Sequence, residues 1–190
     1  MGFQITGLPE ADAVLTENPF ALLVGMQLDQ QYPMEHAFRG PWKVLERFGT
    51  LEPAAIAAAE PESFAALCAQ PPAIHRFPGS MAARLQELAG IIEREYGGDA
   101  SRLWNEAATG PELLKRVQSL PGFGKQKAQI FTALLAKQLG VRPEGWEMAV
   151  GDYALEGYRS VADVVDDASL HKVRDFKKAK KAAAKAAAPA

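Results

Sequence analysis

The chain has one cysteine, Cys68, in 190 residues. A single thiol closes no internal disulfide, and it cannot by itself hold an iron–sulfur cluster or a structural zinc ion. Cys68 reads as a small buried hydrophobe on a helix. Histidine is nearly as scarce. His36, His75 and His171 have no carboxylate or second histidine at ligand spacing, so neither a metal site nor a cofactor is expected. Long apolar runs are missing too. The longest, Phe20–Met26, falls far short of the roughly 20 residues that span a bilayer. The first residues, Met1 to Gly7, carry no basic leader, and the expectation is a cytoplasmic protein that contacts no membrane. Alternating β-branched runs are also wanting. Alanine is abundant instead, which points to helix throughout.

Positive charge is short as well, except at one end. The net charge is −2, from 21 basic and 23 acidic residues. Residues 176–190 hold Lys177, Lys178, Lys180, Lys181 and Lys185 with no acid. Taking that +5 from −2 leaves −7 on residues 1–175. An acidic body of this kind cannot bind nucleic acid through bulk charge. Any such contact by the body is local, or made by backbone amides.

Proline and glycine punctuate the rest. Asn18 is a good N-cap for a helix through Ala21–Leu28. Further helices are expected over Pro41–Phe48, Pro53–Ala59, Pro61–Ala69, Ser80–Tyr96, Asp99–Ala107, Pro111–Ser119 and Lys125–Leu139. Gly49, Gly97-Gly98 and Gly140 stand where three of them should end. The expected fold is all-α. One body covers 1–175, and a flexible Lys/Ala-rich tail covers 176–190.

The sharpest local feature is Leu120-Pro121-Gly122-Phe123-Gly124, between Pro111–Ser119 and Lys125–Leu139. So short a connection makes a tight hairpin of two helices. Pro121 stops the first helix. Gly122 and Gly124 permit positive φ and strip side chains from the turn. The amides of the turn and of the next helix start then face outward as an anion site, with Lys125 and Lys127 beside it. A nucleic-acid phosphate fits such a site, and the contact is blind to base sequence. Read bare, the same turn also serves as an ordinary helix connection.

The string Leu-Pro-Gly-Phe-Gly followed by Lys-Gln-Lys-Ala resembles the hairpin of the helix-hairpin-helix/Gly-Pro-Asp DNA glycosylases. That superfamily includes endonuclease III and the adenine-mismatch glycosylases. Two further segments are similar and come in the same order. Ala21 to Gln31 looks like the early helix whose polar corner enters DNA at a lesion. Ile74 to Leu85 looks like the loop and helix that precede the hairpin. The resemblance covers roughly residues 18–152, and within the superfamily it is to a small bacterial subgroup. It implies two helical lobes with a lesion pocket between them, and double-stranded DNA as the partner of a monomer. It places Gly122, Phe123, Gly124, Lys125, Gln126 and Lys127 on the DNA backbone. Gln30 and Gln31 fall at the corner, where a neutral amide can replace the hydrogen bonds of an orphaned base.

Glycosidic cleavage needs a carboxylate to activate water or steady a cationic sugar. The resemblance assigns this to an Asp after the loop that follows the second hairpin helix. Here that residue is Asp152, 28 residues beyond Gly124 and later than in typical members. Glu144 stands nearer the usual distance without the usual neighbours. Bifunctional members carry a lysine nucleophile two residues past the last hairpin glycine. Here Gln126 occupies that position, and it forms no Schiff base. Lys125 and Lys127 flank it but point about 100° away. The implied activity is therefore a monofunctional DNA glycosylase. The alternative is a lesion- or structure-binding protein on the same scaffold.

The +5 tail should act as a non-specific anchor that offsets the acidic body. Each phosphate neutralised contributes about 0.9 to the salt slope, so the tail can supply roughly 4 to 5 units. Deleting residues 176–190 should weaken DNA binding mainly at low salt and flatten the plot of log affinity against log salt. An unchanged slope would show that the tail does not touch DNA.

Overall fold

The computed structural model describes residues 2–189. Its helices are α1 (Pro9–Glu17), α2 (Pro19–Leu28), α3 (Met34–Phe48), α4 (Pro53–Ala58), α5 (Pro61–Ala69) and α6 (Pro78–Tyr96). They continue with α7 (Ser101–Asn105), α8 (Gly110–Gln118), α9 (Lys125–Leu139), α10 (Trp146–Val150) and α11 (Asp167–Ala187). Two 3-10 turns, Gly151–Ala154 and Val161–Asp163, lie between α10 and α11. No strand occurs among the described residues, as the composition implied. Helices α1–α6 pack mainly on one another, while α8, α10 and the two 3-10 turns pack on α9, with α7 against α8 and α11 against the second 3-10 turn. One continuous apolar core joins the two groups.

Proline sets most of the helix starts. It occupies the first or second position of α1, α2, α4, α5, α6 and α8, where its missing N–H has no partner to lose. Asn18 caps α2 by accepting from the Phe20 amide at 2.9 Å. Helix α9 runs over Lys125–Leu139 and closes on Gly140 at φ 70°.

Helix α3 departs from expectation. It begins at Met34, seven residues before Pro41, which lies inside it. An interior proline costs about 3 kcal/mol through a lost hydrogen bond and a clash. Here Met34, Ala37, Phe38, Pro41 and Val44 form one buried face, and that burial outweighs the loss. The packing is close: a Cβ on Gly25 of α2 would stand 2.4 Å from the Phe38 ring.

The division expected at residue 175 falls inside α11. This helix starts at an Asp166/Ser169 capping box and runs unbroken to Ala187. Ala and Lys propagate a helix readily once one is nucleated, and the buried first turns, Leu170 and Val173, supply that nucleus. Arg174 holds α11 to α3 by an ion pair with Glu35 at 3.0 Å.

The hairpin is fixed at both ends. At the turn, Gln27 of α2 is fully buried, and its Nε2 donates to the Pro121 carbonyl at 2.9 Å and the Arg84 carbonyl at 3.2 Å. Lys127 Nζ returns a bond to the Gln27 carbonyl at 3.1 Å. At the far end, the Gly110 amide donates to the Glu144 carbonyl at 2.7 Å. There α8 and the loop after α9 touch so closely that a Cβ on Gly110 would meet the Trp146 amide at 2.4 Å.

Replacing Gln27 with Met keeps the volume and removes both side-chain bonds. Gln27→Met should lose about 1–3 kcal/mol in urea unfolding, because the Pro121 carbonyl is left without that donor. A variant as stable as the wild type would show that the lock contributes nothing to folding.

Candidate nucleic-acid interface

The hairpin turn is built as its residue types demand. Leu120 accepts from the Phe123 amide at 3.1 Å across Pro121-Gly122, and Gly122 takes φ 83°. A side chain there is strained, and a Cβ would also meet Arg84 Cδ at 2.8 Å. Gly124 differs from expectation. Its φ is −76°, an ordinary value, and nothing lies within 4 Å of where a Cβ would sit. It caps α9 with extended backbone and leaves open space above the helix start. The first backbone bond of α9 runs from the Ala128 amide to the Gly124 carbonyl. The amides of Lys125, Gln126 and Lys127 therefore have no acceptor within the helix.

Two of the expected DNA contacts turn inward. Phe123 is 4% exposed and its ring packs edge-on against Phe131 at 6.1 Å. Its amide closes the turn, so neither its ring nor its N–H is free for phosphate. Lys127 lies half-buried against Gln27 and Phe123. Burial pulls its ammonium down to about 8, with Asp29 opposing. Lys125 and Gln126 stay exposed beside the turn.

The two glutamines of the corner separate in role. Gln30 is tied down: its Oε1 accepts from Arg84 at 3.0 Å, and its carbonyl accepts from His75 Nε2 at 2.8 Å. His75 is 2% exposed, and its Nδ1 accepts from the Phe77 amide. Burial lowers its pKa, in keeping with the neutral ring that this pair of bonds requires. Gln31 is exposed and holds φ 54°, the one non-glycine at positive φ among the described residues. Such backbone collects at functional corners because the fold must enforce it.

Behind this corner lies a cleft of about 580 Å³. Its walls include Gln31 and Tyr32 from the corner, Gln126, Lys127 and Ile130 from α9, and Tyr153 from the first 3-10 turn. Phe176, Lys177, Lys180 and Lys181 of α11 complete it. Gln126 Nε2 donates to the Tyr153 hydroxyl at 2.9 Å, so it joins α9 to the opposite wall. Lys180 Nζ sits 5.5 Å from the Tyr153 ring centre. A second cleft of about 670 Å³ shares Asp29, Gln31, Tyr32, Lys177 and Lys181, and adds Arg76 and Arg174. A third cavity, about 580 Å³, opens beside Phe3 and Leu170, away from the hairpin. Of the four carboxylates in its lining, Asp12 accepts from the Ile5 and Thr6 amides and Asp166 from the Ser169 amide, while Glu17 and Asp167 are exposed.

Asp29 is the residue that the sequence did not single out. It follows the last residue of α2, and both clefts of the corner share it. Its side chain is 11% exposed, with Lys177 Nζ at 4.0 Å. Burial pushes its carboxyl above the ordinary carboxylate range, while Lys177 and then Lys127 oppose this. Asp152 stands elsewhere. It is exposed on the 3-10 turn and lies outside the cleft wall that its neighbour Tyr153 forms. Glu144 is exposed too, with its carbonyl taken by Gly110. No group of three or more potential metal ligands occurs among the described residues, and no described helix is long and apolar enough to cross a membrane.

No curated protein matches the sequence. A family model described as "HhH-GPD superfamily base excision DNA repair protein" matches residues 24–188. The match begins within α2, takes in the corner, the hairpin and the cleft, and ends just past α11. The chain belongs to the HhH-GPD superfamily of base excision DNA repair proteins.

Proposed function

We propose that the protein is a monofunctional DNA glycosylase acting on double-stranded DNA, which hydrolyses the N-glycosidic bond of a damaged or mispaired base. One observation carries the reading: the helix whose start offers free amides to phosphate also lines the cleft, through Gln126 and Lys127. A nucleotide held at the turn of α9 has its base beside that cleft. The volume, about 580 Å³, falls within the roughly 300–1,000 Å³ of small-molecule sites. Tyr32, Tyr153 and Phe176 give it aromatic walls on which an extruded base can stack. Gln31, exposed and strained at the rim, fills the vacated stack.

The chemistry is hydrolysis rather than attack by an amine. Gln126 holds the position of the lyase lysine and is bonded to Tyr153. Lys127 reaches the cleft, but its ammonium is held by the Gln27 carbonyl. With a pKa of about 8 it is mostly charged at neutral pH. A binding protein on the same scaffold would hold the same duplexes and release nothing, and a base-release screen over damaged and mispaired duplexes separates the two.

Gly124→Ala should weaken duplex binding to a similar extent for every sequence, at a folding cost of at most about 1 kcal/mol from the poorer N-cap. The φ of this position is ordinary and its surroundings are open, so lost affinity reports on phosphate approach alone. Unchanged affinity in the folded variant would remove the hairpin from the interface. Borohydride treatment with an abasic duplex at pH 7 should trap no covalent complex. A complex that forms in the wild type and vanishes in Lys127→Ala would overturn the hydrolytic reading.

A further inference from the structure

Release of a base leaves positive charge on the sugar, and an anionic group serves best where water is scarce. The two carboxylates that follow the second hairpin helix, Asp152 and Glu144, are exposed and outside the cleft walls. Asp29 is inside. Its place is set by a helix end, since its amide bonds to the Met26 carbonyl at 3.2 Å. Among the described residues no group hydrogen-bonds its carboxylate, and Lys177 at 4.0 Å is beyond that reach. Asp29 thus presents unclaimed acceptor oxygens to the two clefts it borders.

We propose that Asp29, at the C-terminal end of α2, is the carboxylate that performs base release, in place of one from the loop after α9. The proposal rests on the glycosylase reading above. Asp29 accepts a proton from a water molecule whose oxygen bonds to C1′. The C1′–N bond breaks as this happens, and its electron pair stays on the base nitrogen. The proton then passes to the departing base, so the products are the free base and an abasic sugar. Nothing is oxidised or reduced, and water is the one co-reactant. The groups facing Asp29 are Lys177 of α11, Lys127 of α9 and Glu35 of α3. The two lysines favour its charged form, while burial raises its basicity toward the working range of a general base.

The test uses the full chain and a duplex from which the wild type releases base, chosen from a panel of damaged and mispaired duplexes. Single-turnover release, affinity for an abasic duplex and thermal unfolding are measured for Asp29→Asn, Asp29→Glu and Asp152→Asn. Asp29→Asn should bind the duplex at least as tightly as the wild type, having lost a negative charge near phosphate. Its release rate should fall at least about 100-fold, the usual size of a proton-transfer contribution. Wild-type release should decline on acidification with a midpoint above the ordinary carboxylate range, and Asp29→Asn should lack that limb. Asp29→Glu keeps the charge, so it should release base slowly with the limb displaced. If Asp29→Asn does not fold, an unchanged rate and limb in Asp29→Glu overturns the proposal. Near-wild-type release by folded Asp29→Asn overturns it too, and so does abolition of release by Asp152→Asn alone. In these three cases the glycosylase reading stands. Failure of the wild type to release any base from the panel removes that reading and the proposal together.

Discussion

Three hydrogen bonds around Gln27 hold the molecule's working parts in register. The side-chain amide ties α2 to the Pro121 carbonyl of the hairpin and to the Arg84 carbonyl of α6. Lys127 closes the loop from α9 back to the Gln27 carbonyl. The three segments that resemble the glycosylases meet at this one buried glutamine. Its burial raises the stakes, because a polar group out of water must find its partners or cost stability. Here the amide nitrogen is satisfied twice, while Oε1 has no protein partner among the described residues. The corner of Gln30 and Gln31 begins three residues later, so its position relative to the hairpin is inherited from the same lock.

Charge is organised locally rather than globally. Residues 1–175 carry −7, yet Arg76, Arg174, Lys177, Lys178 and Lys181 converge on the clefts. Helix α11 brings most of that charge. The end of the chain that looked like a loose anchor therefore lies along the site, with its lysines spaced by helical turns. Lys177 beside Asp29 and Lys180 over Tyr153 are contacts that a random tether could not maintain.

What could be read from the residues, and what could not, follows from the range of the forces involved. Helix α9 was legible to the residue because Gly124, the amphipathic run and Gly140 all act within a few positions. The hairpin was legible for the same reason. Pro41 misled: its local preference for a helix start lost to the burial of a face shared by Met34 and Phe38. Gly124 and Gly122 look alike as letters, but only Gly122 adopts positive φ. Phe123 and Lys127 sit in the hairpin string, and only packing against Phe131 and Gln27 shows that they face inward. Asp29 was invisible because the lysines that face it, Lys127 of α9 and Lys177 of α11, lie about 100 and 150 residues away along the chain. Gln31 beside it was found through resemblance, though nothing in its letter announces its backbone strain.

The close approach of Gly110 to Trp146 gives the hairpin its mechanical character. Two antiparallel helices joined only at a turn can splay like tweezers. Here the open ends are clasped through Gly110, Glu144 and Trp146, while the turn is bolted to α2. The pair is thus fixed at both ends, and the amides at one corner belong to the same closed frame. On the proposed reading, a strand that docks at the turn meets a seat braced at both ends, so little freedom on the protein's side is lost on binding. Lengthening the 140–151 segment would leave the turn residues Leu120 to Gly124 unchanged and still unclasp the frame.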